Sequence, residues 1–315
     1  MSASLTLAIG AVEGRLHIAV GNRRGRLVYG RWIEAASSGA ERLTPAIREA
    51  LSSIRKRVDD IAKIAVVRGP GGFTGLRLAT TTSAGLARAV GAKQAGLDHM
   101  RLVARDNLPR LTRAPEGSLL WALVHARRDL VYMQAFAYDG SANPPLYEAA
   151  SLSVSPVSTG EAAGLILGLA FSSGRGASPP VSPQAHDGQS PLARLHAAPH
   201  ILLAGSGARE HRAALAADLA VPGAPRVSFL EERKIAAETL LAEALDVRYG
   251  NEDIDPLYIR PSDAEENLPR IAERLGLDPV EAVRKLHAIT GNSPGVRAKE
   301  QHAPGENSRQ PLRFS

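Results

Sequence analysis

Between Leu5 and Val90 the chain switches its hydrophobic period in an order that few folds accommodate. Three short apolar runs, Leu5 to Ile9, Leu16 to Val20 and Leu27 to Ile33, are separated by Gly or charged turn residues and predict a three-stranded meander. Leu43, Ile47, Ala50, Leu51, Ile54, Val58 and Ile61 then recur at spacings of three and four, which predicts an amphipathic helix over 41–57 with Glu41, Arg48, Glu49 and Arg55 on its polar face. Ile61 to Val67 reads as a buried strand, RGPGGFTG as a turn, and 74–90 as a second helix closed by Gly91. The order is βββαβα, an α/β domain.

At 315 residues there is room for about two such domains. A second block opens near Asp98. Leu119 to Val124 and Leu130 to Tyr138 read as paired strands, the latter alternating Val131, Met133, Ala135 and Ala137 against Tyr132, Gln134, Phe136 and Tyr138. Residues 171–200 are rich in Ser, Pro and Gly without periodicity, which predicts a mobile insertion. Ile201 to Ala204 predicts a strand leading through Gly205-Ser206-Gly207 into a helix, Ala208 to Leu219, and a further helix spans about Glu231 to Tyr249. Ala264 to Thr290 carries two helical patterns parted at Gly276, with Asp278 as cap and Pro279 as first residue of the second. Residues 292–315 read as a frayed tail.

Composition removes several chemistries. With no cysteine, disulfides, thiolate catalysis, iron–sulfur clusters and Cys-ligated zinc are out. No apolar run reaches the roughly 20 residues of a membrane span, and MSASLTLAIG lacks a basic leader segment, so the expectation is a cytoplasmic protein. The formal charge of +6 would suit a polyanion such as RNA, yet the clusters Arg23-Arg24-x-Arg26, Arg55-Lys56-Arg57 and Arg127-Arg128 lack the interleaved aromatics of a base-stacking surface. A weak contact with RNA is what this charge allows.

RGPGGFTGLR, Arg68 to Arg77, is the sharpest motif. It lies between a strand and a helix, where free N–H groups can hold an anion, but it lacks the Lys-Ser/Thr of a Walker A loop and the glycine spacing of a dinucleotide fingerprint. A tight structural turn is the competing reading. The following helix carries Gly75, Ala79, Thr80, Thr81, Thr82, Ser83, Ala84 and Gly85, small residues that let another helix approach closely. Packing on the chain's own sheet accounts for one face, and a second face is open to a partner. Of nine histidines only His196 and His200 have a metal-like spacing, in a stretch too irregular to fix ligands, and His125 reads as a surface or core histidine.

RGPGGFTGLR followed by Gly85-Leu86-Ala87 resembles the R-G-P-G-S-F-T-G-[VL]-R…G-L-A signature of the TsaB family, the accessory subunit in bacterial synthesis of threonylcarbamoyladenosine on tRNA. Further matches fall in order: His125-Ala126-Arg127-Arg128-Asp129-Leu130-Val131-Tyr132 is similar to D-A-R-x-x-E-[VI]-Y, Gly205-Ser206-Gly207 to a G-x-G turn, and Pro256-Leu257-Tyr258-Ile259-Arg260 to P-x-Y-[LI]-R. The resemblance implies two actin-like, ribonuclease-H-type domains with mixed sheets flanked by helices, to which this chain adds a C-terminal helical extension. We expect an N-terminal domain over 1–103, completed by helix 231–249, a second over 104–262, and the extension over 263–315. The resemblance also implies a scaffold without activity of its own, docking a TsaD-type catalytic subunit, with a TsaE-type P-loop ATPase joining and a homodimer where the partner is missing.

The expected docking residues are Leu51, Gly75, Leu78, Ala79, Thr82 and Gly85, beside the motif turn of Arg68, Gly69, Gly71, Phe73, Thr74 and Arg77. Where active ATPases of this fold carry Asp at the end of the first strand, this chain has Ile9-Gly10-Ala11-Val12. Without that carboxylate a magnesium-bound nucleotide loses its anchor, so no cofactor and no metal are expected. An actin-fold small-molecule kinase or a metallopeptidase-like enzyme is the alternative.

Overall fold

The computed structural model describes residues 4–35, 39–140, 145–150, 156–172, 198–231, 234–259 and 263–290. The expected insertion at 171–200, including His196, falls mostly outside them, as does the tail from 291. Two compact units result, Met1–Ile259 and Arg260–Ser315.

The first unit opens with β1 (Leu5–Val12), β2 (Arg15–Gly21), β3 (Leu27–Glu34), α1 (Gly39–Ser53), a 3₁₀ turn at Val58–Asp60, β4 (Ile61–Gly69), α2 (Phe73–Val90) and β5 (Lys93–Asp98). These five strands form one sheet in the order β3-β2-β1-β4-β5, antiparallel through β1–β2–β3 and parallel through β1–β4–β5. β1 reads LTLAIGAV because it is buried on both faces at the middle of the sheet, where continuous apolar sequence replaces alternation. The helix expected over 41–57 stops at Ser53: Arg55 turns left-handed at φ 55, so Val58 and Ile61 leave the helical stripe for the 3₁₀ turn and β4.

The chain continues through α3 (His99–Asp106), α4 (Leu108–Leu111), β6 (Leu119–Arg127), β7 (Leu130–Tyr138), β8 (Leu146–Ala150), β9 (Val157–Ser158) and α5 (Thr159–Ser172). Then come β10 (His200–Ala204), α6 (Ser206–Glu210), α7 (Arg212–Leu219), β11 (Arg226–Phe229) and α8 (Ala237–Asp246). The helix expected from Ala208 to Leu219 is broken at His211, and that expected over 231–249 is confined to α8. The second sheet runs β8-β7-β6-β10-β11, with β9 also on β7, and its pairings repeat the first: antiparallel through β6–β7–β8, parallel through β6–β10–β11. The same five-strand ribonuclease-H-type plan therefore occurs twice, and the fold is actin-like.

The β7 alternation separates two cores. Val131, Met133, Ala135 and Ala137 face α5 and α7, while Tyr132 and Phe136 pack with Met100, Val103 and Ala104 of α3. On the first sheet, α1 and α2 cover one face, and α3 and α8 contribute Leu102, Leu240, Leu241 and Ala244 to the other. α3 thus lies between the sheets and serves both cores. Arg101 and Arg105 of α3 bind the buried Glu243 carboxylate of α8 at 2.8 and 2.9 Å, tying the two helices.

The second unit is a pair of helices, α9 (Asp263–Arg274) and α10 (Pro279–Thr290). Asp278 caps α10 as expected, its Oδ1 accepting the Val280 N–H at 2.8 Å.

Candidate functional site

The motif turn begins where β4 ends. Arg68 O accepts the Leu257 N–H at 2.7 Å, and a Cβ on Gly69, which has φ 132, would come within 2.9 Å of Leu257 O. Phe73, the first residue of α2, stacks on Tyr258 with ring centroids 4.6 Å apart, and the Arg77 guanidinium lies 5.9 Å above the Phe73 ring. The RGPGGFTGLR motif and Leu257-Tyr258, distant in the chain, are thereby brought side by side. Burial, followed by the repulsion of Asp255, pushes the Tyr258 hydroxyl up, with Arg77 opposing, so the phenol stays neutral and can donate.

From this aromatic step a groove of about 360 Å³ runs along the outward side of α2, lined by Phe73, Thr74, Arg77, Leu78, Thr81 and Thr82. Thr74, Arg77, Thr81 and Gly85 are exposed, and a Cβ on Gly85 would meet nothing. Leu78 contributes both to the groove and to the core beneath. Gly71 sits against Val12, and Gly72 is the uncapped N-terminal neighbour of α2.

Three expected docking residues lie elsewhere. Ala79 is 0% exposed and Leu51 2%, both in the core between the first sheet and its helices, because they occupy the inward stripes of α2 and α1. Gly75 approaches β1 so closely that a Cβ would meet Ala11 O at 2.3 Å. The outside of α1 carries Glu41, Arg42, Thr44, Pro45, Arg48 and Glu49, so its exposed face is polar. Of these two helices, α2 is the one whose outward side carries small residues, Thr74, Thr81 and Gly85, beside Arg77 and Arg88.

A second polar constellation lies at the cleft between the sheets. Glu13, in the β1–β2 turn, accepts the Ser206 hydroxyl proton on Oε1, and its Oε2 is 3.8 Å from His99 Nε2. Ser206 Oγ in turn accepts the His125 backbone N–H at 2.9 Å. The His125 and His211 rings meet with Nδ1 and Nε2 3.0 Å apart, and burial, then the neighbouring His125, holds the His211 imidazole below its ordinary value. His125 is half-buried and structural in this setting. Sequence reasoning missed Glu13, His99, Ser206 and His211, which come from four separate elements with no shared spacing. His200 is held by Ser228 Oγ at 2.8 Å, so its partner is a strand neighbour.

An actin-like fold raises the question of a magnesium-bound nucleotide. A Cβ on Gly10 would lie 2.8 Å from Val67 Cγ2, so the strand has closed over the place a carboxylate would need. Glu13, in the turn that follows β1, is committed to Ser206 and faces an imidazole. Among the described residues no three His, Asp or Glu side chains group as metal ligands. The donor set does not fit a magnesium–nucleotide complex.

Residues 33–157 match the family model described as TsaD, tRNA N6-adenosine threonylcarbamoyltransferase. No curated protein matches by sequence. A Pseudomonas aeruginosa protein of uncharacterised role, described as similar to the peptidase YeaZ, shares the fold at 21% identity and TM-score 0.55, over 82% of this chain and all of that one. YeaZ from Pseudomonas aeruginosa does so at 19% identity and TM-score 0.51, over 89% of this chain and 98% of that one. The family match covers less than half of the chain, and the two solved structures show a shared fold of actin-like architecture. No helix among the described residues is long and apolar enough to cross a membrane.

Proposed function

We propose that this chain is a non-catalytic subunit that docks and stabilises a TsaD-type threonylcarbamoyltransferase, the enzyme that completes threonylcarbamoyladenosine next to the tRNA anticodon. The supporting observation is the outward side of α2: a groove of Thr and Leu side chains ending in the Phe73–Tyr258 step, built from the motifs that carry the family resemblance. Small side chains there let a partner helix approach closely, and the aromatic step supplies an apolar anchor with a polar tip. α1 contributes only its polar flank, so α2 is the main contact. The exposed Arg23, Arg24 and Arg26 of the β2–β3 turn would add a sequence-independent attraction for tRNA. A TsaE-type P-loop ATPase would join this pair, as the resemblance implies. A kinase or a metallopeptidase would need a donor set that the cleft does not offer.

The test is co-expression with the TsaD-type protein of the same organism. Thr82→Arg and Gly85→Arg place a long cation on the outward side of α2, where the Gly85 position has open space, so the isolated chain should melt normally while recovery of the complex falls at least tenfold. Undiminished complex with both substitutions refutes the docking face. Self-association of the isolated wild-type chain that the same substitutions abolish would mean that a second copy uses this face when the partner is missing.

A further inference from the structure

Glu13 occupies a position that its local geometry disfavours. It has φ 53 and the following Gly14 has φ 70, the paired left-handed conformation of a two-residue hairpin turn, for which Asn or Asp ahead of Gly is the usual choice. A residue that departs from local preference signals a compensating role. The additional methylene of Glu carries its carboxylate across the cleft. Oε1 accepts from Ser206, the first residue of α6 beside the second sheet and 193 positions away in sequence, while Oε2 faces His99 Nε2 in the first half of the molecule.

His99 lies beside this arrangement without bonding to it. Its Nδ1 lies 2.9 Å from Pro70 O, which can only accept, so the proton sits on Nδ1. Nε2 is fully buried, has no hydrogen-bond partner and is aimed at Glu13. Ser206 is also tied on its own side, since it accepts the His125 N–H, and His125 pairs with His211. One carboxylate therefore links the β1–β2 turn to Ser206 and, through it, to the β6 end of the second sheet, while His99 Nε2 stands 3.8 Å away without a hydrogen bond.

We propose that Glu13 is an interlobe latch: a positioning residue whose hydrogen bond to Ser206 fixes the two sheets relative to one another across a cleft that no longer suits a nucleotide. Its work is mechanical. The inference is independent of the partner proposed above.

The decisive variant is Glu13→Asn in the full-length chain. Asn suits the turn better than Glu but is one methylene too short to reach Ser206. If Glu13 were only a turn residue, Asn would leave amide exchange across the cleft unchanged. The latch predicts instead that exchange at the His125 amide and across 206–211 speeds up about tenfold, the equivalent of losing one hydrogen bond to a charged group, while amides in the centres of β1 and β6 keep their protection. Ser206→Ala should reproduce this acceleration across 206–211 and extend it to the β1–β2 turn, and the double variant should add nothing further. Acceleration confined to residues 12–15 in Glu13→Asn, or fully additive effects in the double variant, overturns the latch.

Discussion

His17 allows a stability prediction to be worked through from geometry. It lies on β2 opposite Gly10, 5% exposed, and its imidazole is pushed down from 6.5 to about 4. Burial is the main cause, and the nearby His99 adds to it, while Glu13 and a hydrogen bond to the Ile235 backbone act in the opposite sense. Below pH 6.5 an unfolded chain takes up a proton on His17 that the folded chain refuses until about pH 4, so this contribution is whole above 6.5 and lost as pH falls through 4. At 1.36 kcal/mol per unit the loss amounts to roughly 3 kcal/mol, a large part of a typical stability of about 5–15 kcal/mol. His17→Gln keeps a donor for the Ile235 carbonyl and removes the titration. Guanidinium unfolding of both proteins from pH 7.5 to 4 should show the wild type losing roughly 3 kcal/mol more than the variant. His200 and His211, also held low, and Asp98 and Glu148, whose carboxyls burial pushes up, are common to both proteins and cancel in the difference. A pH-independent difference refutes the reasoning.

The glycines of α2 separate inner from outer packing. Gly75→Ala sets a methyl 2.3 Å from a strand carbonyl that cannot yield, and should cost about 1–3 kcal/mol in denaturant melts, whereas Gly85→Ala meets nothing and should gain up to ~1 kcal/mol from helix propensity. Glu243→Ala strips both Arg101 and Arg105 of their shared carboxylate and should cost about 3 kcal/mol, the lower end for a buried pair because the arginines keep partial solvent access; urea unfolding measures it.

Elements buried on both faces or alternating cleanly were legible in the sequence. β1 and β7 declare themselves through an unbroken apolar run and a strict two-residue alternation, and the structure puts the alternating sets of β7 into different cores. α1 was overextended because Ile54, Val58 and Ile61 happen to continue its spacing, and no glycine marks the left-handed Arg55 that ends it. α3 gave little periodic signal because it is eight residues long, so its polar stripe, Arg101 and Arg105, spans a single turn while cores on two sides bury most of the rest. The groove was partly legible through Leu78 and Thr82 of the expected docking set and Phe73, Thr74 and Arg77 of the motif turn. The cleft was not, because Glu13, His99, Ser206 and His211 are single polar residues at turns and helix ends whose meeting depends on tertiary topology.

The small residues of α2 answer to two demands that the sequence presents as one. Gly75, Ala79, Ser83 and Ala87 follow a helical stripe on the inward side: Gly75 clears the Ala11 carbonyl, Ala79 and Ala87 join the core, and Ser83 donates to Gln94 Oε1 at 2.8 Å. Close seating of the helix on its own sheet accounts for these four without any partner. Thr74, Thr81, Thr82 and Gly85 have no such reason, since they face outward, where long charged side chains would cost nothing in folding and would favour solubility. The docking face proposed above uses this outer set together with Leu78 and the Phe73–Tyr258 step. It follows that inward substitutions should register in melting curves and outward ones in complex recovery, and a single substitution that moved both equally would mean that the two stripes are not separable in the way the packing requires.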